Sequence, residues 1–262
     1  MRTFLHNLFQ NGSKPVDLNK LDDFCLGVSH SFWYRKYTST PLGELSPEEI
    51  AKYRPLVQAD MTHVFPDSVF VKTHHFLGEH DGVGLHNMEV TAGGIYIVRN
   101  PLDVVLSMVP HFGVPIDDAI SVMANEAAGT DHTNNHVPEH YGSWSTNVRS
   151  WTQNPNPQLL VLRYEDMLAK PRTSFKRVAN FLGLQPPAER LEKAIRFSSF
   201  KVLKAQEQKS GFHEKPEVSK AFFREGKSEQ WRRVLTPEQV KRIIADHGEQ
   251  MQRFDYIPKE YI

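Results

Sequence analysis

The sequence predicts an α/β domain of three layers, a parallel sheet with helices on both faces. Three observations point there. The runs Val69-Phe70-Val71, Ile95-Tyr96-Ile97-Val98 and Leu159-Leu160-Val161-Leu162 are apolar at every position, the pattern of strands covered on both sides. Helical periodicity with cap residues stands between and after these runs. The chain has 262 residues, 39% of them apolar, enough to fill a core without staples. One domain over residues 1–262 is the expectation.

Each element has its own signal. Phe4, Leu5, Leu8 and Phe9 form two i, i+4 pairs that Asn11-Gly12 brings to a stop, so the sequence opens on a helix with no strand before it. After the strand at Ile95–Val98, Asn100 can cap a helix with Pro101 at its first position and Asp103 in its first turn. Leu102, Val105, Leu106 and Val109 follow at helical spacing, and Pro110 should break the run. Residues 113–157 differ in kind: His132, His136, His140, Trp144 and Trp151 read as a helical insertion with a long loop, a place for substrate contacts. The three histidines are spaced by four and could line a helix face as metal ligands. Pro138 and Asn134-Asn135 oppose that helix, and a loop or acceptor-site role is the better reading. After the third strand, Phe175, Val178, Ala179 and Leu182 share a face that Gly183 ends. Last, Thr236 caps, Pro237 opens, and Val240, Ile243, Ile244, His247 and Met251 repeat at three and four.

Charge and cysteine usage exclude whole classes. Lys plus Arg and Asp plus Glu each number 31, so there is no basic excess for coating nucleic acid or an anionic membrane. Cys25 is the single cysteine, which rules out an internal disulfide or a cysteine zinc cluster and suits a reducing cytoplasm. No apolar run reaches spanning length and no leader pattern opens the chain.

Three short motifs carry chemistry, and a fourth segment, Tyr164-Glu165-Asp166, stands in order with them. Lys72-Thr73-His74 follows a strand directly, and residues two apart there can both face the crevice where open α/β sheets bind ligands. Strand alternation puts His74, rather than His75, on the side of Lys72. Arg99 ends a strand eight positions before Ser107, beside a helix N-terminus suited to anions. Tyr164-Glu165-Asp166 follows the third strand. Phe223-Arg224-Glu225-Gly226-Lys227, with Trp231 after it, places a glycine among basic residues, where backbone and guanidinium can approach a phosphate closely. Taken singly, each motif also reads as an ordinary strand end, capped helix or charged turn.

Together and in this order, the motifs resemble those of the cytosolic-type sulfotransferase family, which moves a sulfuryl group from 3′-phosphoadenylyl sulfate to an acceptor. The resemblance runs from about Val69 to Leu235. It implies a sheet like that of the P-loop NTPases, sulfotransferase activity toward a hydroxyl or amine of an unidentified small-molecule or glycan acceptor, and no metal. It implies His74 as general base and Lys72 near the sulfuryl group or its bridging oxygen. Arg99, Ser107, Arg224 and Gly226 would hold the donor's 3′-phosphate, with Tyr164 and Phe200 at the adenine. The acceptor pocket would come from residues 113–157 and the segment from Phe32 to Tyr37.

Departures from the family pattern matter equally. Its first strand and 5′-phosphosulfate-binding loop have no counterpart here, and Met1 to Leu8 resemble the helix that follows that loop. A start assigned at an internal Met is the favoured explanation. The alternative is a truncated, non-catalytic remnant with at most a 3′-phosphonucleotide site. Glu225 stands where the family carries Lys, with Lys227 as a compensating charge, and Glu229 stands where a second Gly is common.

Overall fold

The computed structural model describes residues 1–262. In chain order the helices are α1 (Arg2–Gln10), α2 (Pro47–Met61), α3 (Pro101–Phe112), α4 (Ile116–Ala124), α5 (Trp144–Thr152), α6 (Tyr164–Ala169), α7 (Pro171–Phe181), α8 (Ala188–Phe197), α9 (Phe200–Ser210), α10 (Trp231–Val234) and α11 (Pro237–Arg253). The strands are β1 (Cys25–Gly27), β2 (Phe70–Lys72), β3 (Glu79–His80), β4 (Val83–Gly84), β5 (Gly94–Val98) and β6 (Leu159–Arg163). The class is α/β, helix-rich, with the strands in three ladders of two. β1 and β2 are parallel with Leu26 opposite Val71, β3 and β4 are antiparallel, and β5 pairs with β6.

The three apolar runs fall on β2, β5 and β6, yet they are not covered on both faces as their composition suggests. Val98 and Leu162 are 1% and 2% exposed, whereas Val71 and Ile97 are 43% and 36% exposed. Each strand has one hydrogen-bonded neighbour, so its outward side chains lack the second flanking strand that would shield them.

The chain gathers into two compact units, each built from discontinuous segments. The first comprises Met1–Asp23, Ile95–Ser121 and Leu159–Ile262. Here α1 packs on α8, and the fully buried Phe4 ring lies 4.1 Å from that of Phe175. Phe9, expected on the buried face, is 41% exposed. It stands in the last turn, where Arg190 and Lys193 reach in to take the carbonyls of Leu8, Phe9 and Asn11. Cations there satisfy the orphan acceptors and complement the dipole.

Asn100 caps α3 by accepting from the Leu102 amide, with Pro101 at the first position. Pro110 does not end this helix: α3 runs on to Phe112, and Gly113 closes it at φ 69°. α11 packs against α3, opened by a reciprocal Thr236–Gln239 capping box. Its buried face is Val240, Ile243, His247 and Met251, at the spacing anticipated.

The second unit comprises Phe24–Gly94 and Val122–Gln158. Its core joins Leu26 and Val28 to Tyr34, Ile50, Val57, Met61 and Val137. Three of these lie on α2, a helix the apolar spacing alone did not disclose. Its signal was Ser46-Pro47-Glu48-Glu49, a capping box with Pro at the first position, as helix starts require. His132, His136 and His140 lie outside any helix. His136 bridges to His30 and His140 to Gly129, so they do not share a face. Nowhere do three His, Cys, Asp or Glu side chains come together in a way that could hold a metal. No helix is long and apolar enough to cross a membrane.

Candidate active site

In the first unit, the end of β5 and the opening turns of α3 organise a cationic group. Arg99 follows β5 directly, and its Nη1 donates to Ser107 Oγ at 2.9 Å. The guanidinium lies 4.7 Å from the centroid of the Tyr164 ring, a cation–π contact. Glu165, next in the chain, accepts from the Asn100 amide at 3.0 Å and the Tyr256 hydroxyl at 2.7 Å. That carboxylate thus ties the cap of α3 to the start of α6.

Arg224 arrives 118 residues after Leu106 and donates from Nη2 to the Leu106 carbonyl at 2.9 Å. In a regular helix that carbonyl would take the amide of residue 110, which Pro110 lacks. The proline expected to stop α3 therefore frees the acceptor that Arg224 uses. The Pro110 carbonyl in turn accepts from Ser219 Oγ. Arg99 and Arg224 consequently reach adjacent residues of a single helical turn, Ser107 and Leu106.

The segment carrying Arg224 is held on several sides. Lys204 Nζ donates to the Arg224 carbonyl at 2.7 Å, and the Glu207 carboxylate accepts from the Phe222 and Phe223 amides. Gly226 has φ 63°, and a Cβ there would lie 2.3 Å from Phe200 Cδ2. Backbone and ring approach too closely for any side chain. Asp103, 1% exposed, accepts from the amides of Glu229 at 2.7 Å and Trp231 at 3.1 Å. Glu229, where the family commonly has Gly, takes φ 59°, a conformation glycine adopts without cost. Glu225 turns to Arg233 Nη2 at 3.5 Å, so its charge has a local cation as partner.

In the second unit, Lys72 is the last residue of β2, half-buried, and its carbonyl accepts from the Val28 amide at 3.2 Å. His74 lies beyond the strand, so pairing does not orient it; Glu139 does. One carboxylate oxygen accepts from the His74 amide and the other meets His74 Nδ1, both at 3.0 Å. Asn147 Nδ2 donates to the His74 carbonyl at 3.2 Å. The ring keeps 51% of its surface exposed, whereas the Glu139 side chain keeps 8%. Burial alone would raise the Glu139 carboxyl, but the bonds and charge of His74 outweigh it and bring the value down to about 2. An ionised carboxylate is acceptor only, so the proton in the ring contact sits on Nδ1 and neutral His74 keeps its lone pair on Nε2.

His75 is the opposite case. It is 3% exposed, its Nδ1 accepts from the His140 amide at 2.9 Å, and its carbonyl accepts from Trp151 Nε1 at 3.0 Å. Burial, with Arg54 and other imidazoles nearby, pushes it down to about 3. It is an enclosed neutral ring.

The two segments assigned to the acceptor also meet within this unit. The Ser31 amide and hydroxyl donate to the carbonyls of Asn135 and Asn134 at 2.9 and 2.7 Å, and the Val137 amide donates to Ser29. The 3₁₀ segment Ser31–Lys36 is therefore laced to the 125–143 loop.

The structure thus groups Arg99, Ser107, Tyr164 and Arg224 around one turn of α3, with Gly226 and Phe200 in mutual contact, and sets Lys72 and His74 two residues apart. Motif reading did not find Asp103 as a clamp, the Leu106 carbonyl, Glu139 or Asn147. Asp103 and Leu106 stood inside a motif. Glu139 and Asn147 are distant partners with no local signal.

Comparison with known proteins places these residues in context. Residues 66–255 match the family described as the sulfotransferase domain. Sulfotransferase 1A1 of Canis lupus familiaris is 29% identical over 117 residues, 43% of this chain and 40% of that protein. Cytosolic sulfotransferase 17 of Arabidopsis thaliana is 30% identical over 168 residues, 57% of this chain and 46% of that protein. The matches span less than half the length of these relatives. Among solved structures, mouse sulfotransferase SULT7A1 complexed with PAP aligns with a TM-score of 0.61 at 21% identity, covering 96% of this chain and 80% of that one. A retinol dehydratase in complex with androsterone and inactive cofactor PAP aligns with a TM-score of 0.64 at 17% identity, covering 99% and 78%. Both support the fold.

Proposed function

The chain belongs to the sulfotransferase domain family, and we propose that it transfers a sulfuryl group from 3′-phosphoadenylyl sulfate to the hydroxyl, or amine, of a small-molecule or glycan acceptor in the cytoplasm. One observation carries the reading: Arg99 and Arg224, from two distant motifs, reach adjacent residues of one turn of α3. Two guanidinium forks there suit a dianionic phosphate, which accepts paired charge-assisted hydrogen bonds. Ser107 Oγ adds a hydroxyl, and the Phe200 ring packs directly against Gly226 of the loop. These residues fit the 3′-phosphate of the donor, with Tyr164 and Phe200 as flat surfaces for adenine. The solved relatives named with PAP agree with a nucleotide of this kind.

His74 is the base. As the acceptor oxygen attacks sulfur, its proton passes to Nε2. The new O–S bond forms while the bond from sulfur to the phosphate oxygen breaks. The electron pair stays on that oxygen, releasing adenosine 3′,5′-bisphosphate. Lys72 offsets the negative charge growing on the leaving phosphate. Positioning and charge stabilisation supply most of the acceleration, as in phosphoryl transfer.

The test separates the two groups. His74→Ala should abolish turnover while leaving calorimetric affinity for adenosine 3′,5′-bisphosphate within about twofold, since imidazole contributes to proton transfer alone. Arg99→Ala and Arg224→Ala should each weaken that affinity by about tenfold or more, from ~1.5–3 kcal/mol per charge-assisted bond. Wild-type-like turnover from the histidine variant removes the mechanism. Undiminished binding in both arginine variants removes the phosphate site. Binding without turnover in the parent chain would instead select the non-catalytic alternative.

A further inference from the structure

We propose that Glu139 is the positioning residue of His74: it fixes which ring nitrogen carries the proton and steadies the imidazolium formed during transfer. The inference rests on the reading of His74 as base, but it stands on its own geometry. The carboxylate grips the histidine twice, at the backbone amide and at Nδ1, both at 3.0 Å. A single contact would leave the ring free to turn about its own bonds. Two anchors on one rigid carboxylate set both the main chain and the imidazole.

The segment bearing Glu139 is itself immobilised. The Glu139 amide donates to Thr130 Oγ1 at 2.9 Å, and its carbonyl accepts from the Thr130 amide at 2.9 Å. A Cβ at Gly129 would lie 2.3 Å from that carbonyl oxygen, so close approach of the two strands depends on glycine. One residue on, the His140 amide donates to His75 Nδ1 and the His140 carbonyl accepts from the Phe76 amide. Residues 139–140 thus run alongside 74–76, and the carboxylate belongs to a fixed frame.

A purely structural explanation of Glu139 is physically poor. A carboxylate this buried is costly to desolvate, and an apolar side chain would hold the loop with less penalty. What the charge gains is specific to the histidine: a carboxylate beside Nδ1–H selects the tautomer whose Nε2 can take a proton, then faces the cation that results. The half-exposed ring retains a route for an acceptor to that second nitrogen.

Nitrogen-15 NMR of the histidine-labelled full chain decides the matter without turnover. The His74 resonances would be assigned by their loss in His74→Gln. The neutral form of His74 should carry its proton on Nδ1 in the parent protein. In Glu139→Gln the single amide oxygen is taken by the His74 backbone N–H, an obligate donor, so the amide NH2 faces Nδ1 and the proton should move to Nε2. In Glu139→Ala it should move largely to Nε2. With 3′-phosphoadenylyl sulfate and 2-naphthol as the probe acceptor, kcat should fall about 100-fold in both Glu139→Ala and Glu139→Gln. KM for the donor should stay within about twofold. An Nε2–H tautomer in the parent protein, or an unchanged tautomer in Glu139→Ala, overturns the proposal. If Glu139→Ala fails to fold, the parent and Gln spectra still decide, because Nε2–H in the parent, or Nδ1–H in Glu139→Gln, contradicts it. Turnover surviving in His74→Ala would refute the base and leave the tautomer result standing, so the two failures are distinct.

Discussion

Acidification should destabilise this protein well before its carboxylates protonate, and His75 is where that is clearest. The ring is 3% exposed and held to about 3, chiefly by burial. In the unfolded chain an ordinary histidine titrates near pH ~6.5. Between about 3 and 6.5 the unfolded state therefore binds a proton that the native state refuses, and stability falls as pH drops. Full stability holds above pH 6.5. At pH 5.5 the loss from this one ring is about 1.4 kcal/mol, growing by roughly that amount per further unit. Glu139 does not confuse the window. Its carboxyl is depressed to about 2, so its contribution is present above the usual ~4.3 and lost only below that. His86, held to about 4 chiefly by burial, acts in the same direction as His75, so a variant is needed to isolate one ring. His75→Asn keeps an oxygen where Nδ1 accepts the His140 amide. Urea unfolding at pH 7.5 and 5.5 should show the parent losing about 1.4 kcal/mol more than the variant across that interval. Equal losses in the two proteins, or a folded-state His75 signal titrating near 6.5, would refute the reasoning.

Two further predictions concern the loop after α9. Asp103→Ala removes the acceptor of the Glu229 and Trp231 amides and should cost about 2–4 kcal/mol in urea unfolding, with new proteolytic cleavage between Arg224 and Trp231. An uncut loop and an unchanged midpoint would show the clamp to be idle. Glu229→Gly relieves a left-handed non-glycine backbone at φ 59° and should stabilise by about 1 kcal/mol. The exposed Arg232 pair that it loses contributes a few tenths of that at most. Any fall in stability would mean the position is not strained.

Those elements that announce themselves by local physics were legible in the sequence. Thr236-Pro237 and Asn100-Pro101 each carry a cap and a first-position proline, and both helices start where those residues say. The apolar runs gave three strands but misjudged their cover, because an apolar side chain records what a strand can bury and not how many neighbours it has. Pro110 misled for a related reason. A proline forbids an amide donor at its own position, and the helix tolerates this where another donor takes the orphaned carbonyl. That donor is Arg224, 118 residues away from Leu106 in sequence.

The same distance effect divides the site. His74 and Lys72, or Arg99 and Ser107, are visible as candidates because two residues a fixed short distance apart must share a turn or a strand end. Glu139 is separated from His74 by 65 residues and sits in a loop of histidines and asparagines without periodicity. Nothing in its neighbourhood distinguishes it from an exposed acid. What singles it out is a combination only three dimensions supply: a carboxylate denied water, two donors of one histidine at equal distance, and a glycine opposite that no larger residue could replace. A buried charge is tolerable where its partner needs it, and here the partner is the residue proposed to move the proton.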